Sequence, residues 1–191
     1  MDDFVIFFIT ILISILIIKN IYTKNEFIRI LSEKDGIEYI VRDRHDSILS
    51  VQKLETINEK VKLLINNLDE NNEEAKLLKK KYNPHSLSET GGNSTHTSYS
   101  VNKGEKISIC LRKKENEDIF EDENTIMFVM IHELAHIITK SIGHTEEFWN
   151  NMKFLLKEAN KLNIYLPIDY NKTNVEYCGM LIKSTPYDFK K

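Results

Sequence analysis

The segment that most constrains this chain is residues 124–139. Ile126, Met127, Val129, Met130, Ile131, Leu134, Ile137 and Ile138 fall on nearly every side of a helix of 3.6 residues per turn. Such a helix has to be covered by protein almost all round, which makes it the centre of whatever fold forms. Asp122 and Glu123 place negative charge before its first turn, and Asn124 or Thr125 can cap it.

Set into that apolar surface are His132, Glu133 and His136, in the HExxH pattern. Four residues advance a helix by slightly more than one turn, so both imidazoles share a face and can grip one metal ion. Zinc suits that geometry: it accepts neutral imidazole nitrogen at about 2.0 to 2.1 Å, and a catalytic site keeps a position open for water. Without a metal, two histidines and a glutamate on so apolar a helix would each cost about 1 to 3 kcal/mol if left unpaired. A third ligand is needed. His144, separated from His136 by seven residues and following a turn at Gly143, is the first candidate. Glu146, Glu147, Glu158 and Cys110 are the alternatives. Glu133, one residue round the helix from His132, is the natural general base. An oxyanion donor would come from Tyr170 or Tyr177.

The remaining chain supplies a frame. Residues 4–18 are apolar apart from Thr10 and Ser14, which reads as a transmembrane helix extended past Lys19 to Tyr22. Lys19, Lys24 and Arg29 after the span, against Asp2 and Asp3 before it, orient the following domain to the cytoplasm. An amphipathic stripe over residues 48–68 predicts a helix, and the polar run 69–81 continues it or begins a second one before Asn83 and Pro84 end it. Residues 86–97 read as a surface loop, residues 99–101 and 106–111 as a hairpin with one buried face, and residues 113–122 as a solvated connection. A further helix over residues 145–162 presents Phe148, Met152 and Leu155 to the core, with Trp149 packed beside them. Residues 170–191 show no regular pattern, His45, His85 and His96 sit in polar surroundings that predict exposure, and Met180 is placed to form a methionine turn. Cys110 and Cys178 alone do not make a disulfide framework; two thiols fit a reducing compartment, with a single bridge left open. A net charge of -3 without a basic stretch gives little reason to expect nucleic-acid binding.

Residues 131–136, IHELAH, followed by residues 143–149, GHTEEFW, resemble the minimal zincin proteases of the WLM and SprT-like group. Together with residues 99–106, YSVNKGEK, and 177–180, YCGM, they are similar to small WLM-type metallopeptidases of large DNA viruses. The resemblance covers about residues 37–186. It implies zinc held by His132, His136 and His144, with Glu133 catalytic. It also implies an α+β, zincin-like minimal protease domain of active-site helix, small antiparallel sheet or hairpin and flanking helices. The expected organisation is an N-terminal transmembrane anchor over 1–23 and a metallopeptidase domain over 24–191. Within the latter fall a helical part at 46–82, a hairpin at 97–112, the active-site helix at 124–141 and a third helix at 145–163. The expected partners are a protein or peptide substrate, aligned by β-addition along residues 106–111, and a membrane through residues 4–22.

Overall fold

The computed structural model describes residues 2–24, 26–95 and 97–189. Helix α1 (Asp2–Lys24) is followed by strands β1 (Phe27–Leu31) and β2 (Glu38–Arg42), helices α2 (Ser47–Asn67) and α3 (Glu73–Lys81), and strands β3 (Leu87–Glu89), β4 (Tyr99–Val101) and β5 (Lys106–Ile109). Helices α4 (Glu123–Ile138) and α5 (Glu146–Lys161) come next, then a hairpin of β6 (Val175–Tyr177) and β7 (Met180–Ile182).

The five-stranded sheet has the order β1-β2-β3-β5-β4. It is mixed rather than antiparallel, because β2 and β5 both run parallel to β3. A parallel neighbour needs a long crossover, which α2 and α3 provide between β2 and β3. Strand β5 is therefore interior, and its Ile107, Ser108 and Ile109 are all buried, so the expected single buried face is corrected to two. Strand β3 lies within the stretch read as a loop, and β6–β7 within the stretch read as irregular. Both are three-residue strands, too short for alternation to register in sequence.

Helix α4 fills the centre, and Ile126, Met127, Met130, Ile131, Leu134 and Ile137 have no exposed surface. At about 1.5 to 3 kcal/mol for each fully buried side chain, this helix carries a large share of the folding free energy. Asp122 is its N-cap, accepting from the Thr125 amide at 2.9 Å, so the cap sits two residues before Asn124. At the other end Lys103 Nζ donates to the Thr139 and Lys140 carbonyls at 2.7 and 2.8 Å, tying the β4–β5 turn to the helix terminus. Gly104 in that turn has φ of +102° and packs so close to Ile137 that a Cβ would lie 2.9 Å from its side chain.

The membrane anchor is corrected. Among the described residues no helix is long and apolar enough to cross a membrane. The apolar stretch 4–18 rises only about 22 Å against a hydrocarbon core of roughly 30 Å. The side chains of Lys19 and Tyr22, on which an extended span relied, lie outside the described residues, as does His96. The single-pass topology and the localisation drawn from it fall with the span.

Candidate metal centre

Three imidazoles meet on the exposed side of α4. His132 and His136 project from successive turns of the helix, and His144 arrives from the turn before α5. The His132 Nε2 atom lies 3.2 Å from Nε2 of His136 and 3.1 Å from Nε2 of His144. All three ligand atoms are within 4.8 Å of one another. Phe148, fully buried at the start of α5, backs the cluster, with ring centroids 4.8, 4.4 and 4.7 Å from His132, His136 and His144.

The turn that delivers His144 is braced by a carboxylate. Glu147 accepts from the amides of Lys140 and Ser141 at 2.9 and 3.1 Å and from the Ser141 hydroxyl at 2.7 Å. Those amides hold its carboxyl down to about 2, so it stays ionised and keeps the loop closed. Thr145 caps α5, its hydroxyl 2.6 Å from that of Ser141. Gly143, at φ of +83° with open space about its Cα, allows the reversal between brace and ring.

The other candidate ligands are engaged elsewhere or lie outside the histidine cluster. Glu147 is occupied by the turn, and Glu158 pairs with Lys161 at 2.6 Å. Glu146 is not part of the cluster. Cys110 is bonded to Cys178 across an S–S distance of 2.03 Å, which removes it as a thiolate donor and resolves the open question of the two cysteines. Neither tyrosine is free to reach a substrate oxyanion. The Tyr177 hydroxyl donates to the Cys110 carbonyl at 2.7 Å and contacts Ser98 Oγ at 2.9 Å, while Tyr170 has no exposed surface and packs against Phe128 with centroids 4.6 Å apart.

Burial sets the protonation states. It pushes His132 down to about 3, with the neighbouring His136 and His144 adding to the effect. His136 falls to about 4 for the same leading reason. Both rings are therefore neutral at physiological pH, the form that donates to a metal. Glu133, 4% exposed, is pushed by burial up to about 7, against the opposing pull of hydrogen bonds from the Ser100 hydroxyl and amide. Ser100 belongs to β4, the edge strand, so one strand both holds the carboxylate and borders the site. No spacing in the sequence links these two residues. The edge role expected of residues 106–111 belongs instead to Tyr99–Val101. Trp149 is also reassigned: it is 37% exposed, 5.5 Å from the His144 ring, rather than packed in the core.

An open cleft of about 330 Å³ lies on one side of the histidines, lined by Tyr99, Ser100, Lys103 and Ser141 among others. A second hollow lies on their other side, between α4, α5 and β7.

Comparison with known proteins bears on the whole arrangement. Protein R325 of Acanthamoeba polyphaga mimivirus is 33% identical over 167 residues, covering 84% of each chain. Protein 136R of Invertebrate iridescent virus 6 is 36% identical over 69 residues, 36% of this chain and 38% of that one. The crystal structure of a Wss1 mutant from Saccharomyces cerevisiae shares the fold at a TM-score of 0.52 and 21% identity, over 64% of this chain and 88% of that chain. The WLM domain model matches residues 48–179, a span that runs from α2 through the three converging histidines to the disulfide, and the chain accordingly belongs to the metallopeptidase-like WLM family.

Proposed function

We propose that this protein is a zinc-dependent peptidase in which His132, His136 and His144 hold the metal and Glu133 is the general base. The observation that carries the reading is the mutual approach of three Nε2 atoms at 3.1 and 3.2 Å about His132. Three donors on a tetrahedral zinc at about 2.0 to 2.1 Å stand roughly 3.3 Å apart, close to the two distances measured from His132, and the donor set suits that ion in type and number. Burial keeps His132 and His136 neutral, the form that donates to a metal.

When bound, zinc supplies Lewis acidity that polarises a carbonyl and acidifies water. The chain's own residues do the rest. Glu133, with affinity for protons near neutrality, takes the proton of the attacking water and returns it to the departing amine nitrogen. Ser100 holds that carboxylate in one orientation from the edge strand. The edge strand β4 borders the histidines, a position from which it can guide an extended peptide, which favours a protein or peptide as substrate. A zinc amide hydrolase built on a cysteine ligand loses support from the Cys110–Cys178 bridge.

The test is metal analysis and turnover together. Near one zinc per chain is expected, abolished when His132 and His136 are both replaced by Ala. Glu133→Gln should keep the zinc and lower peptide hydrolysis by about 10²- to 10⁴-fold. Full activity in Glu133→Gln would exclude the mechanism, and a catalytically silent binding module would then be the correct description.

A further inference from the structure

The two hollows beside the histidines differ in chemistry. The cleft toward β4 is lined mainly by hydroxyls, histidines and Lys103, whereas the groove of about 420 Å³ on the other side sets a wall of large apolar side chains opposite the hydroxyls of Thr95, Thr97 and Ser98. Phe128 and Val129 come from α4, Trp149 and Met152 from α5, and Leu181 and Ile182 from β7. Val129 stands three residues before His132, on the same face of the helix, so the groove starts one turn from the first histidine. His132, Glu133 and His144 line both hollows, which makes them two ends of one trough passing through the candidate metal centre.

Solvent reaches apolar surface here that folding leaves uncovered. Leu181 is 47% exposed and Met180 56%, beside Trp149 at 37%. A contiguous apolar hollow with a few convergent polar groups at one end is the usual form of a binding site for an apolar group. The hairpin that forms its outer wall is fixed, because Cys178 between β6 and β7 is bonded to Cys110 beyond the end of β5, and the Tyr177 hydroxyl donates to the Cys110 carbonyl. The wall therefore keeps its distance from α4 and α5, and the groove has a defined width.

We infer that this groove is the side-chain subsite of the peptidase, and that it selects a large aliphatic or aromatic residue immediately flanking the scissile bond. The inference rests on the peptidase reading above. A peptide lying in the trough brings its reacting carbonyl to the histidines, and the adjoining side chain enters the apolar end. Charged side chains are disfavoured there because α4, α5 and β7 present no ion-pair partner among Phe128, Val129, Trp149, Met152, Leu181 and Ile182. Lys183 at the mouth borders solvent and sets the boundary of the apolar stretch.

Zinc-loaded protein incubated with a degenerate peptide library, its cleavage sites mapped by mass spectrometry, tests the assignment. Leu, Met, Phe or Tyr should exceed Gly and Asp by about 30-fold or more in kcat/KM at one position next to the cleaved bond. Leu181→Lys, a change at an exposed site in the hairpin, should shift that ratio toward Asp and Glu by about tenfold. Cleavage without preference at either flanking position, or a preference that Leu181→Lys leaves unmoved, overturns the subsite while sparing the peptidase reading. Absence of any cleavage overturns the peptidase reading and the subsite with it. Trp149, the single tryptophan of the chain, gives a second readout that needs no turnover. In zinc-loaded Glu133→Gln its emission should shift to the blue on adding a Leu- or Phe-containing peptide and stay unchanged with the Asp counterpart. Equal shifts for both peptides contradict the assignment.

Discussion

Two polar clusters are built into this protein, and they are satisfied in opposite ways. Around Arg112, 3% exposed, every guanidinium N–H has a partner: Nε reaches Glu89 at 2.9 Å, Nη1 reaches Asp46 at 2.7 Å and the Glu117 carbonyl at 2.9 Å, and Nη2 reaches Asp46 and Ser50, both at 2.8 Å. Phe120 covers its face at 4.3 Å. The other Glu89 oxygen accepts from the Arg42 amide at 2.9 Å. Opposite charges close the account within the chain. At the histidine cluster, like groups meet. Three imidazole rings cluster with their ligand atoms within 4.8 Å of one another, and the nearby carboxylate stands aside, held by Ser100. A buried polar cluster complete in itself serves the fold, whereas one composed of donors of the same kind is completed from outside.

That contrast is open to direct attack, and the largest expected effect lies at the self-contained cluster. Arg112→Met leaves the buried Glu89 and the Asp46 carboxylate without their cation and should cost about 3 to 5 kcal/mol in chemical denaturation. Zinc stoichiometry of the folded fraction should be unaltered. Stability within 1 kcal/mol of wild type would mean that the ion cluster contributes little.

The Cys110–Cys178 bridge comes next. It joins residues 68 apart in sequence, one of them two positions from Arg112 and the other in the hairpin bordering the apolar groove. Replacing both cysteines by Ser should lower stability by about 2 to 4 kcal/mol through the freed unfolded chain. A protease-sensitivity assay should show the β6–β7 hairpin opening before the sheet.

At the histidine cluster the sign of the response depends on the metal. Zinc at about 100 times its dissociation constant should stabilise the wild type by about 2.7 kcal/mol, or roughly 5 to 11 °C in Tm for a domain of this size. His136→Ala should abolish that shift and, in chelator, leave stability close to wild type, because no internal partner loses its match. A large loss in chelator would show that the rings support the fold as Arg112 does. The smallest effect is at the helix carrying the rings: Asp122→Ala removes the α4 cap and should cost about 1 kcal/mol by thermal melting, with zinc binding retained.

The comparison also explains what could be read in advance. The histidine cluster spans thirteen positions of the chain, and two of its members lie on one helix where spacing alone puts them on one face. His144 was open to alternatives because the turn before it could have taken several courses; the Glu147 brace, itself a local contact, settles that course. The Arg112 cluster gave no such signal. Its partners Asp46, Ser50 and Glu89 lie far along the chain, and the stretch 113–122 beside it looks like an ordinary charged loop, although Glu121 within it is buried and accepts from the Cys178 amide. The apolar run 4–18 misled for a related reason: composition suggests a solvent but does not supply the missing length.

Sequence by itself determined the elements governed by short-range geometry: the central helix, the placing of His132 and His136 on one of its faces, and the amphipathic helices on either side. Tertiary structure alone decided that β4 rather than β5 is the edge, that Ser100 holds Glu133, that Cys110 bonds Cys178 and that an apolar groove adjoins the histidines. The physical reason is the range of the forces involved. Backbone hydrogen bonds four residues apart fix which side chains share a helix face, whereas contacts between distant segments follow from how all the apolar surfaces are buried at once.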